Sequence, residues 1–495
     1  MSFDTLVHGR TAETTAPRGA QADDLEQDLS RIESDFTIEA LRLKQIVARF
    51  QEELEDGLQR DEQNIPMNVT WVMGWPTGQE TGSYLTLDLG GTNLRVCWIG
   101  LHGREHDVDV TQDQYRISDD IKSGNAEQLW SYVADCLAKF IDKHELGSSN
   151  EEPIPFGFTF SYPASQRYVD HGVLQTWTKG LDISGVEGED VAAQLKGALE
   201  KRNLPIRLVA LINDTTGAMI ASSYHDSETM IGAIFGTGCN AAYMEDVGSI
   251  PKLKGTDLPA DGQMAINCEY GAFDNGHHIL PRNKYDLEID EASPRPGEQT
   301  FEKLSAGHYM GEMFRLAIVD LYEEGLVFKG QDGGKIKEPY VLDTGFLSLI
   351  EDDDSSDRAE TRQAFQKQLG IEISDDELEL ARRLAEVIAT RGARLCSCGV
   401  AAICRKKGIT SGHIAADGSV ANKHPKFKAR WAQAMAEVLD WPEDRKEDPI
   451  TITSAEDGSG IGAAVIAAMT DARAKRGDVV GIQDEKTKGL FQADT

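Results

Sequence analysis

The sequence predicts an α/β protein built from two related halves. Segments with the alternating pattern of half-buried strands are followed along the chain by segments with helical periodicity. Two apolar segments, 84–89 and 231–235, each run into a turn rich in glycine, threonine and asparagine, and these turns lie about 145 residues apart. A third apolar segment, 206–212, ends at polar residues that open a helix. Open α/β sheets carry their chemistry at such strand ends.

The first half alternates helices and strands, as a sheet covered by helices requires. Residues 37–58 have the apolar spacing of a helix, and residues 85–89 alternate as in a strand. Gly90 and Gly91 form a tight turn to a second β-rich run over 94–99. The remaining predicted elements of this half are a helix at about 126–145, a strand that leads into Ser161, a helix at about 189–202 and a strand over 206–212.

The second half begins again with a strand near residue 230. Ser374 and Glu377 form a capping-box pattern, which predicts the start of a long helix. The other predictions are a polar, flexible tail over 1–30, a helix over 301–325, a solvated acidic loop over 352–357, a helix over about 375–404 and a last helix from Ala463 to about Ala472.

The composition excludes several classes of partner. The chain has 495 residues and a net charge of −33, whereas nucleic-acid binding requires a basic surface and an anionic membrane attracts one. The seven cysteines lack the spacing of a metal site, and we expect them to be reduced and mostly buried. We find no apolar run near the roughly 20 residues that a membrane helix needs, no signal peptide and no lipidation motif, so we expect a cytoplasmic protein.

The turn after residue 87 has the composition of a phosphate-binding loop. Its two glycines let backbone N–H groups approach an oxyanion with no Cβ in the way. The threonine and asparagine add donors, the aspartate can hold a hydrated Mg²⁺, and the arginine supplies a positive charge. The alternative is a hairpin turn with an incidental acid. The residues of this turn are Asp88, Gly90, Gly91, Thr92, Asn93 and Arg95.

Residues 231–240 repeat the pattern, as an apolar strand that runs into Gly236, Thr237 and Gly238. Two phosphate turns, one in each half, predict that a nucleoside triphosphate binds between them.

The motifs of this chain resemble those of one known family. Leu87-Asp-Leu-Gly-Gly-Thr-Asn-Leu-Arg95 resembles the first phosphate motif of hexokinases, and further segments resemble that family in its order from about residue 30 to the C-terminus. The sequence is most similar to the single-domain fungal hexokinases. The matching segments are 158–166, 177–180, 212–217, 235–240, 267–271, 294–303, 412–419 and 455–460.

The resemblance implies two actin-like (ribonuclease-H-like) α/β domains, one small and one large, around a central cleft. The small domain would comprise residues 83–217 with about 458–475, and the large domain would comprise 31–82 with 218–457. Sugar and ATP would bind in the cleft, and closure around the sugar would exclude water.

The resemblance also implies a sugar site made of hydroxyl, amide and carboxylate groups. Asp214 would be the general base, and Lys179 and Arg95 would neutralise the transferring phosphoryl group. Taken singly, Asn213-Asp214 could be a helix N-cap pair, Ser161 a turn residue and Glu302 a surface acid. The sugar-contacting positions are Ser161, Thr178, Lys179, Asn213, Asp214, Asn240, Glu269 and Glu302.

For the nucleotide, the resemblance implies that the two phosphate turns hold the phosphates and that Asp88 holds Mg²⁺ through water. It assigns the adenosine end to Thr344, Ser348, Gly418 and Ser419, although Asp417-Gly-Ser could be an ordinary turn and 346–350 departs from the fungal pattern.

The implied function is ATP-dependent phosphorylation of the 6-hydroxyl of glucose, fructose and mannose, the first step of glycolysis, by a monomer or weak homodimer. One alternative is a catalytically silent, sugar-sensing regulator on the same fold, and another is a glucose-restricted glucokinase. A further alternative, another actin-like ATPase such as an acetate or glycerol kinase, is disfavoured by Asn213, Asp214, Glu269 and Glu302.

Overall fold

The computed structural model describes residues 18–146, 152–178, 181–455 and 457–490. The chain forms two units. One, called here the helical unit, comprises Met1–Thr37 and Gly311–Ala389; the other, the two-sheet unit, comprises Ile38–Met310 and Thr390–Thr495.

All the described strands belong to the two-sheet unit. They are β1 (Asn68–Met73), β2 (Thr81–Leu89), β3 (Asn93–His102), β4 (Asp109–Arg116), β5 (Ile154–Phe160), β6 (Ala164–Ser165), β7 (Val173–Leu174), β8 (Ile206–Ile212), β9 (Thr229–Phe235), β10 (Cys239–Asp246), β11 (Gln263–Asn267), β12 (Gly412–Asp417) and β13 (Ile450–Ser454).

The described helices are distributed over both units. They are α1 (Arg18–Phe36), α2 (Ala40–Gln59), α3 (Asp119–Lys122), α4 (Ala126–Lys143), α5 (Val191–Lys201), α6 (Asp214–His225), α7 (Lys284–Ala292), α8 (Thr300–Ser305), α9 (Gly307–Glu323), α10 (Thr344–Asp352), α11 (Ala359–Leu369), α12 (Asp375–Lys407), α13 (Ser419–Lys423), α14 (Phe427–Leu439), α15 (Gly458–Lys475) and α16 (Glu485–Lys488).

A five-stranded sheet has the strand order β4-β3-β2-β5-β8. Strands β2, β5 and β8 are parallel neighbours, so their carboxyl ends meet at one edge. One face of β5 carries Phe156, Phe158 and Phe160, which are buried in a core shared with α4 and α5. Trp130 of α4 packs edge-on against Phe158 with ring centroids 6.1 Å apart. The apolar alternation of the sequence thus places one strand face in the core and leaves the strand ends for polar residues.

A six-stranded mixed sheet has the order β1-β11-β10-β9-β12-β13. In the antiparallel hairpin of β9 and β10, Phe235 pairs with Cys239, which makes Gly236–Gly238 the turn. Strand β12 runs parallel to β9 and pairs Asp417 with Ile234. The second predicted turn and the residues after β12 therefore lie at the same edge of this sheet.

Helices α6 and α15 cross in direct backbone contact. A Cβ added at Gly462 would lie 2.2 Å from the carbonyl oxygen of Gly217, and one added at Gly458 would lie 2.8 Å from the Cα of Ala218. A side chain at either position would have to push the helices apart, so glycine is required there. On the other face of the five-stranded sheet, Thr159 Oγ1 donates to the carbonyl of Ser459 at 2.9 Å. This crossing fixes the start of α15 beside the sheet edge.

In the helical unit, α1 is anchored by apolar burial and by an arginine. Leu29, Ile32 and Phe36 are buried, and Arg383 of α12 donates to Glu33 at 2.8 Å. The three buried residues lie on one face of the helix. Helix α1 includes residues 18–30, so the tail that the polar composition predicts there is wrong for these residues. Residues 1–17 lie outside the described residues.

Two further expectations differ from the structure. The helix predicted over 301–325 is divided at Ala306, because the N–H of Gly307 donates to the carbonyl of Gly236 at 2.8 Å instead of continuing the helix. Asp353, expected in a solvated loop, is 5% exposed and accepts hydrogen bonds from the N–H and Oγ1 of Thr361 at 2.9 and 2.8 Å.

The remaining predicted helices and strands are confirmed to within a few residues. These include the β2–β3 hairpin, β8, α4, α5, α12 with its Ser374–Glu377 capping box, and α15.

Among the described residues, α12 is long and apolar enough to cross a membrane by length and composition alone, contrary to the expectation from the sequence. However, 83% of its most apolar 18-residue stretch is buried inside the protein, as in the core helix of a soluble protein.

Candidate active site

Three parallel strands deliver polar residues to one edge of the five-stranded sheet. Asp88 is the last residue but one of β2, Ser161 follows β5, and Asn213 follows β8. Because β5 lies between β2 and β8, Ser161 lies between the other two positions. This edge is the expected place for a site in an α/β sheet.

Asp88 is the centre of a hydrogen-bonded cluster. Its Oδ2 accepts from Ser459 Oγ at 2.7 Å and from Arg95 Nη2 at 3.3 Å, and its Oδ1 accepts from Ser161 Oγ at 3.4 Å. Arg95 also donates to Ser459 Oγ at 2.8 Å and to Asp457 Oδ1 at 2.5 Å. Sequence reasoning missed Ser459 and Asp457, although both lie in the matching segment 455–460.

The first predicted phosphate turn is compact. The N–H of Gly90 donates to the carbonyl of Asn93 at 3.1 Å, so in this structure it closes the hairpin instead of facing a ligand. The side chains of Thr92 and Asn93 are exposed, and Gly91 is half-buried. The sequence correctly predicts the turn. The groups that it offers to a ligand are the exposed side chains of Thr92 and Asn93, whereas the Gly90 N–H is used within the hairpin.

A pocket of about 360 Å³ opens beside this turn. On β4, two side chains that the sequence analysis did not single out, Gln112 and Gln114, pair with Cys97 and Arg95 of β3. Their alternation with Asp113 along an edge strand is the signal that could have identified them. The pocket is lined by Asp88, Gly90, Asn93, Arg95, Gln112 and Gln114.

The second predicted turn is closed on itself and held by neighbouring backbone. The N–H of Gly236 donates to the carbonyl of Gly238 at 3.0 Å, and the N–H of His308 donates to the carbonyl of Thr237 at 3.3 Å. The Thr237 side chain is exposed. Glu302 lies directly against the turn, since its Oε2 accepts from the N–H of Cys239 at 3.0 Å.

Asn213 and Asp214 begin helix α6. Asn213 is the N-cap, and its Oδ1 accepts from the N–H of Thr215 at 2.8 Å. Asp214 Oδ1 accepts from the same N–H at 2.8 Å and from Thr215 Oγ1 at 3.2 Å. The N-cap alternative is therefore confirmed for Asn213, and it places Asp214 in the first helical turn at the sheet edge, where it is half-buried.

Asn213 is also linked to the six-stranded sheet through Glu269. Glu269 Oε1 accepts from Asn213 Nδ2 at 3.4 Å, Asn240 Nδ2 at 3.2 Å and Asn267 Nδ2 at 2.8 Å. The Glu269 N–H donates to Asn240 Oδ1 at 2.9 Å. Glu269 has a φ of 55°, a left-handed conformation that is uncommon for a residue with a side chain and is associated with functional sites. The structure thus brings Asn213, Asn240 and Glu269 together.

Gln299, which sequence reasoning did not select, lies near Glu302. It precedes α8 in a left-handed conformation with a φ of 53°. A Cβ on Gly271 would lie 2.4 Å from Gln299 Oε1 and 3.2 Å from the Cβ of Glu302. The positive φ could not have been read from the sequence.

Thr178 follows a segment that Glu187 holds in place. Glu187 Oε1 accepts from the N–H of Trp177 at 2.5 Å, and it lies 3.6 Å from Nη2 of Arg295, in the loop before α8. Thr178 is half-buried. Lys179 lies outside the described residues.

Two of the four adenosine candidates lie beside the second turn. Gly418 has a φ of 111°, and a Cβ on it would lie 2.6 Å from the carbonyl of Phe235. Burial and the charge of Asp214 raise the pKa of Asp417, although the hydrogen bond from the Gly418 N–H acts to lower it. Ser419 is exposed. The other two candidates are in the helical unit, where Ser348 Oγ donates to the carbonyl of Thr344 at 3.1 Å.

The seven cysteines all lie among the residues that the structure describes. All seven cysteines are free and buried, as predicted, and burial raises the pKa of Cys97 to about 11. Within these residues, no group of three His, Cys, Asp or Glu side chains could hold a metal ion by itself.

Known proteins are similar to this sequence over nearly its whole length. Family profiles described as hexokinase match residues 28–224 and 230–469. The hexokinase of Emericella nidulans is 54% identical over 472 residues, which cover 94% of this chain and 96% of that protein. The chain belongs to the hexokinase family. The hexokinase of Kluyveromyces lactis is 51% identical over 478 residues, covering 95% of this chain and 98% of that protein.

A solved structure confirms the fold. The hexokinase from Schistosoma mansoni complexed with glucose has a TM-score of 0.82 and 32% identity, and the match covers 90% of this chain and 99% of that one. The α/β hexokinase fold predicted from the sequence is therefore confirmed. As a hexokinase, the protein is a kinase of glycolysis that phosphorylates hexoses.

Proposed function

We propose that this hexokinase transfers the γ-phosphoryl group of Mg-ATP to the 6-hydroxyl of glucose, fructose and mannose. The observation that carries the proposal is the convergence of Asp88, Ser161 and Asp214 at the carboxyl edge of β2, β5 and β8. A sugar hydroxyl between Ser161 and Asp214 would face a phosphate held near Asp88.

Asp214 acts as the general base in this proposal. Its Oδ1 is fixed by the N–H and hydroxyl of Thr215. The carboxylate accepts the proton of the 6-hydroxyl while the sugar oxygen attacks the γ-phosphorus. General-base catalysis of this kind supplies about 10²–10⁴-fold in rate.

The sugar is held by groups that the structure already orders. Asn213, Asn240 and Glu269 form one hydrogen-bonded network, and Glu302 is fixed against the second turn. Ser161, Thr178 and Lys179 complete the proposed set. A site of paired polar groups discriminates strongly against an epimer that leaves one of them unsatisfied, so we expect galactose to be a poor substrate.

The phosphates bind between the two turns. Arg95, Lys179 and Thr237 neutralise or hydrogen-bond the transferring group, and positioning with charge neutralisation is the main requirement of phosphoryl transfer. Mg²⁺ enters as part of Mg-ATP. Both Asp88 oxygens already accept hydrogen bonds, which suits contact with the ion through water. The remaining proposed nucleotide contacts are Gly90, Gly91, Thr92, Asn93, Gly236, Gly238, Gly418 and Ser419.

Sugar binding also closes the cleft between the proposed small domain, 83–217 with 458–475, and the proposed large domain. The pair of Glu187 and Arg295, 3.6 Å apart, links the segment before Thr178 to the loop before α8 and supports this closure. The assignments of Thr344 and Ser348 to adenosine stay predictions. We propose that the enzyme acts in the cytoplasm as a monomer or weak homodimer.

A coupled assay of hexose 6-phosphate formation tests the proposal with Mg-ATP and glucose, fructose, mannose, galactose or no sugar. We expect turnover with the first three and little with galactose. Activity with glucose but none with fructose would leave a glucose-restricted enzyme. Glucose binding by calorimetry with no turnover of any sugar would instead favour the silent sugar sensor.

A further inference from the structure

The guanidinium of Arg95 is already engaged by acceptors of the protein itself. Nη1 donates to Asp457 Oδ1 at 2.5 Å, and Nη2 donates to Ser459 Oγ at 2.8 Å and to Asp88 Oδ2 at 3.3 Å. These bonds use three of the five N–H donors of the side chain, so a phosphate that binds at Arg95 competes with these acceptors for its charge.

The two carboxylates beside Arg95 are not equally fixed. The Asp88 side chain is 21% exposed and also accepts from Ser161 and Ser459. The Asp457 side chain is 51% exposed, so water can solvate its carboxylate when it leaves Arg95. Asp457 is thus the partner that a phosphate can displace, while Asp88 stays in place.

Asp457 also forgoes its ordinary structural role. It is the N-cap of α15, where an aspartate normally accepts a hydrogen bond from the N–H of the second or third helical residue. Here no side-chain capping bond is made, and the residue has a φ of 57°. The carboxylate instead reaches to Arg95. A non-glycine residue in this conformation with its side chain turned away from the helix indicates a role outside helix stability.

We propose that Asp457 is a positioning residue that neutralises Arg95 in the nucleotide-free enzyme and is displaced by the polyphosphate of Mg-ATP. The inference rests on the proposed phosphate contact of Arg95. With Asp88 and Asp457 both present, the charges of Arg95 and these two carboxylates sum to −1, which weakens nucleotide binding. A phosphate carries more negative charge than the Asp457 carboxylate that it replaces beside Arg95. The site therefore binds a nucleotide with terminal phosphates more tightly than it binds an uncharged ligand.

Asp457→Asn tests this, because asparagine keeps the size and tolerates a positive φ. An exposed ion pair contributes about 0.2–1 kcal/mol, so we expect the Kd for the magnesium complex of a non-hydrolysable ATP analogue to fall about 1.5–5-fold at low salt. The gain should vanish at about 1 M salt, where the Debye length is about 3 Å.

A double-mutant cycle shows whether the effect acts through Arg95. Asp457→Asn should leave analogue binding unchanged in an Arg95→Ala background, since no ion pair remains to be broken. The same gain in both backgrounds would mean that Asp457 only repels the phosphates directly, and an unchanged or raised Kd with Arg95 present would also overturn the proposal. If Arg95→Ala by itself changes neither analogue binding nor turnover, the proposed phosphate role of Arg95 fails, and the inference fails with it.

Asp484→Asn is the matched control, because it removes one charge from another helix N-cap, where the side chain accepts from the N–H of Thr487. It should leave analogue binding unchanged. Asp457→Gly, which also suits a positive φ, should reproduce the gain of Asp457→Asn, and a gain confined to one of the two variants would contradict the role of the carboxylate.

Discussion

Removing the Asp214 carboxylate separates sugar binding from chemistry. In Asp214→Ala, the first turn of α6 keeps its N-cap, because Asn213 Oδ1 still accepts from the N–H of Thr215 at 2.8 Å. The helix loses one acid from its first turn, a loss of about 0.3–1 kcal/mol. The variant should therefore fold, with only a small fall in melting temperature.

The two functional losses differ in size. One charge-assisted hydrogen bond to the sugar contributes about 1.5–3 kcal/mol, and about 1.4 kcal/mol corresponds to a factor of ten. Glucose affinity should therefore fall by one to two orders of magnitude. Turnover loses the base as well, about 10²–10⁴-fold. The network of Asn213, Asn240 and Glu269 remains to hold the sugar.

Isothermal titration calorimetry with glucose and a coupled assay at saturating sugar measure the two losses separately. Asp214→Asn keeps the shape and removes the charge, so it should bind glucose better than Asp214→Ala and turn over no faster. Asp226→Asn, at the other end of α6, is the control and should retain activity. A kcat near that of the parent with only a raised KM would identify Asp214 as a binding residue, and the base would lie elsewhere.

Three further outcomes are expected. Ser161→Glu should abolish detectable glucose binding in calorimetry, because it puts a second carboxylate beside Asp88, whose Oδ1 is 3.4 Å from the parent Ser161 Oγ; affinity within a few-fold of the parent would place Ser161 outside the site. Saturating glucose should reduce the radius of gyration in small-angle scattering, and identical values would refute closure as the means of excluding water. Burial raises the pKa of Asp353, but hydrogen bonds from Ser355 and Thr361 outweigh it and lower this pKa to about 2. The resulting stabilisation is complete above about pH 4 and is lost toward pH 2, so the melting-temperature gap between parent and Asp353→Asn should narrow as the pH falls from 5 to 3.

The residues predicted best from the sequence are those whose role is local. The strand over 206–212 matches β8 at both ends, because the apolar run over 208–212 stops abruptly at Asn213. The hairpin around Gly90 and Gly91 follows from two alternating segments and a glycine turn. In each case the deciding signal lies within about ten residues.

Residues that depend on distant partners could not be predicted in this way. Ser459 meets Asp88 across 371 positions of sequence, and Gly-Ser-Gly at a helix start carries no sign of that contact. Gln299 and Glu269 have a left-handed backbone that no local sequence pattern indicates. The division of the 301–325 helix at Ala306 likewise depends on Gly236, which lies in another element and takes the N–H of Gly307.

The contact between α6 and α15 limits how this enzyme can be redesigned. Asp214 begins one helix and Ser459 lies at the start of the other, and the two helices touch backbone to backbone at Gly217 and Gly462. A side chain at Gly462 would push the two helices apart, so a substitution there would change the gap between these two positions only by disrupting the helix crossing. Adaptation to a larger or smaller sugar has to come from the loops that carry Thr178 and Gln299, which can change length or sequence while the helix crossing stays as it is.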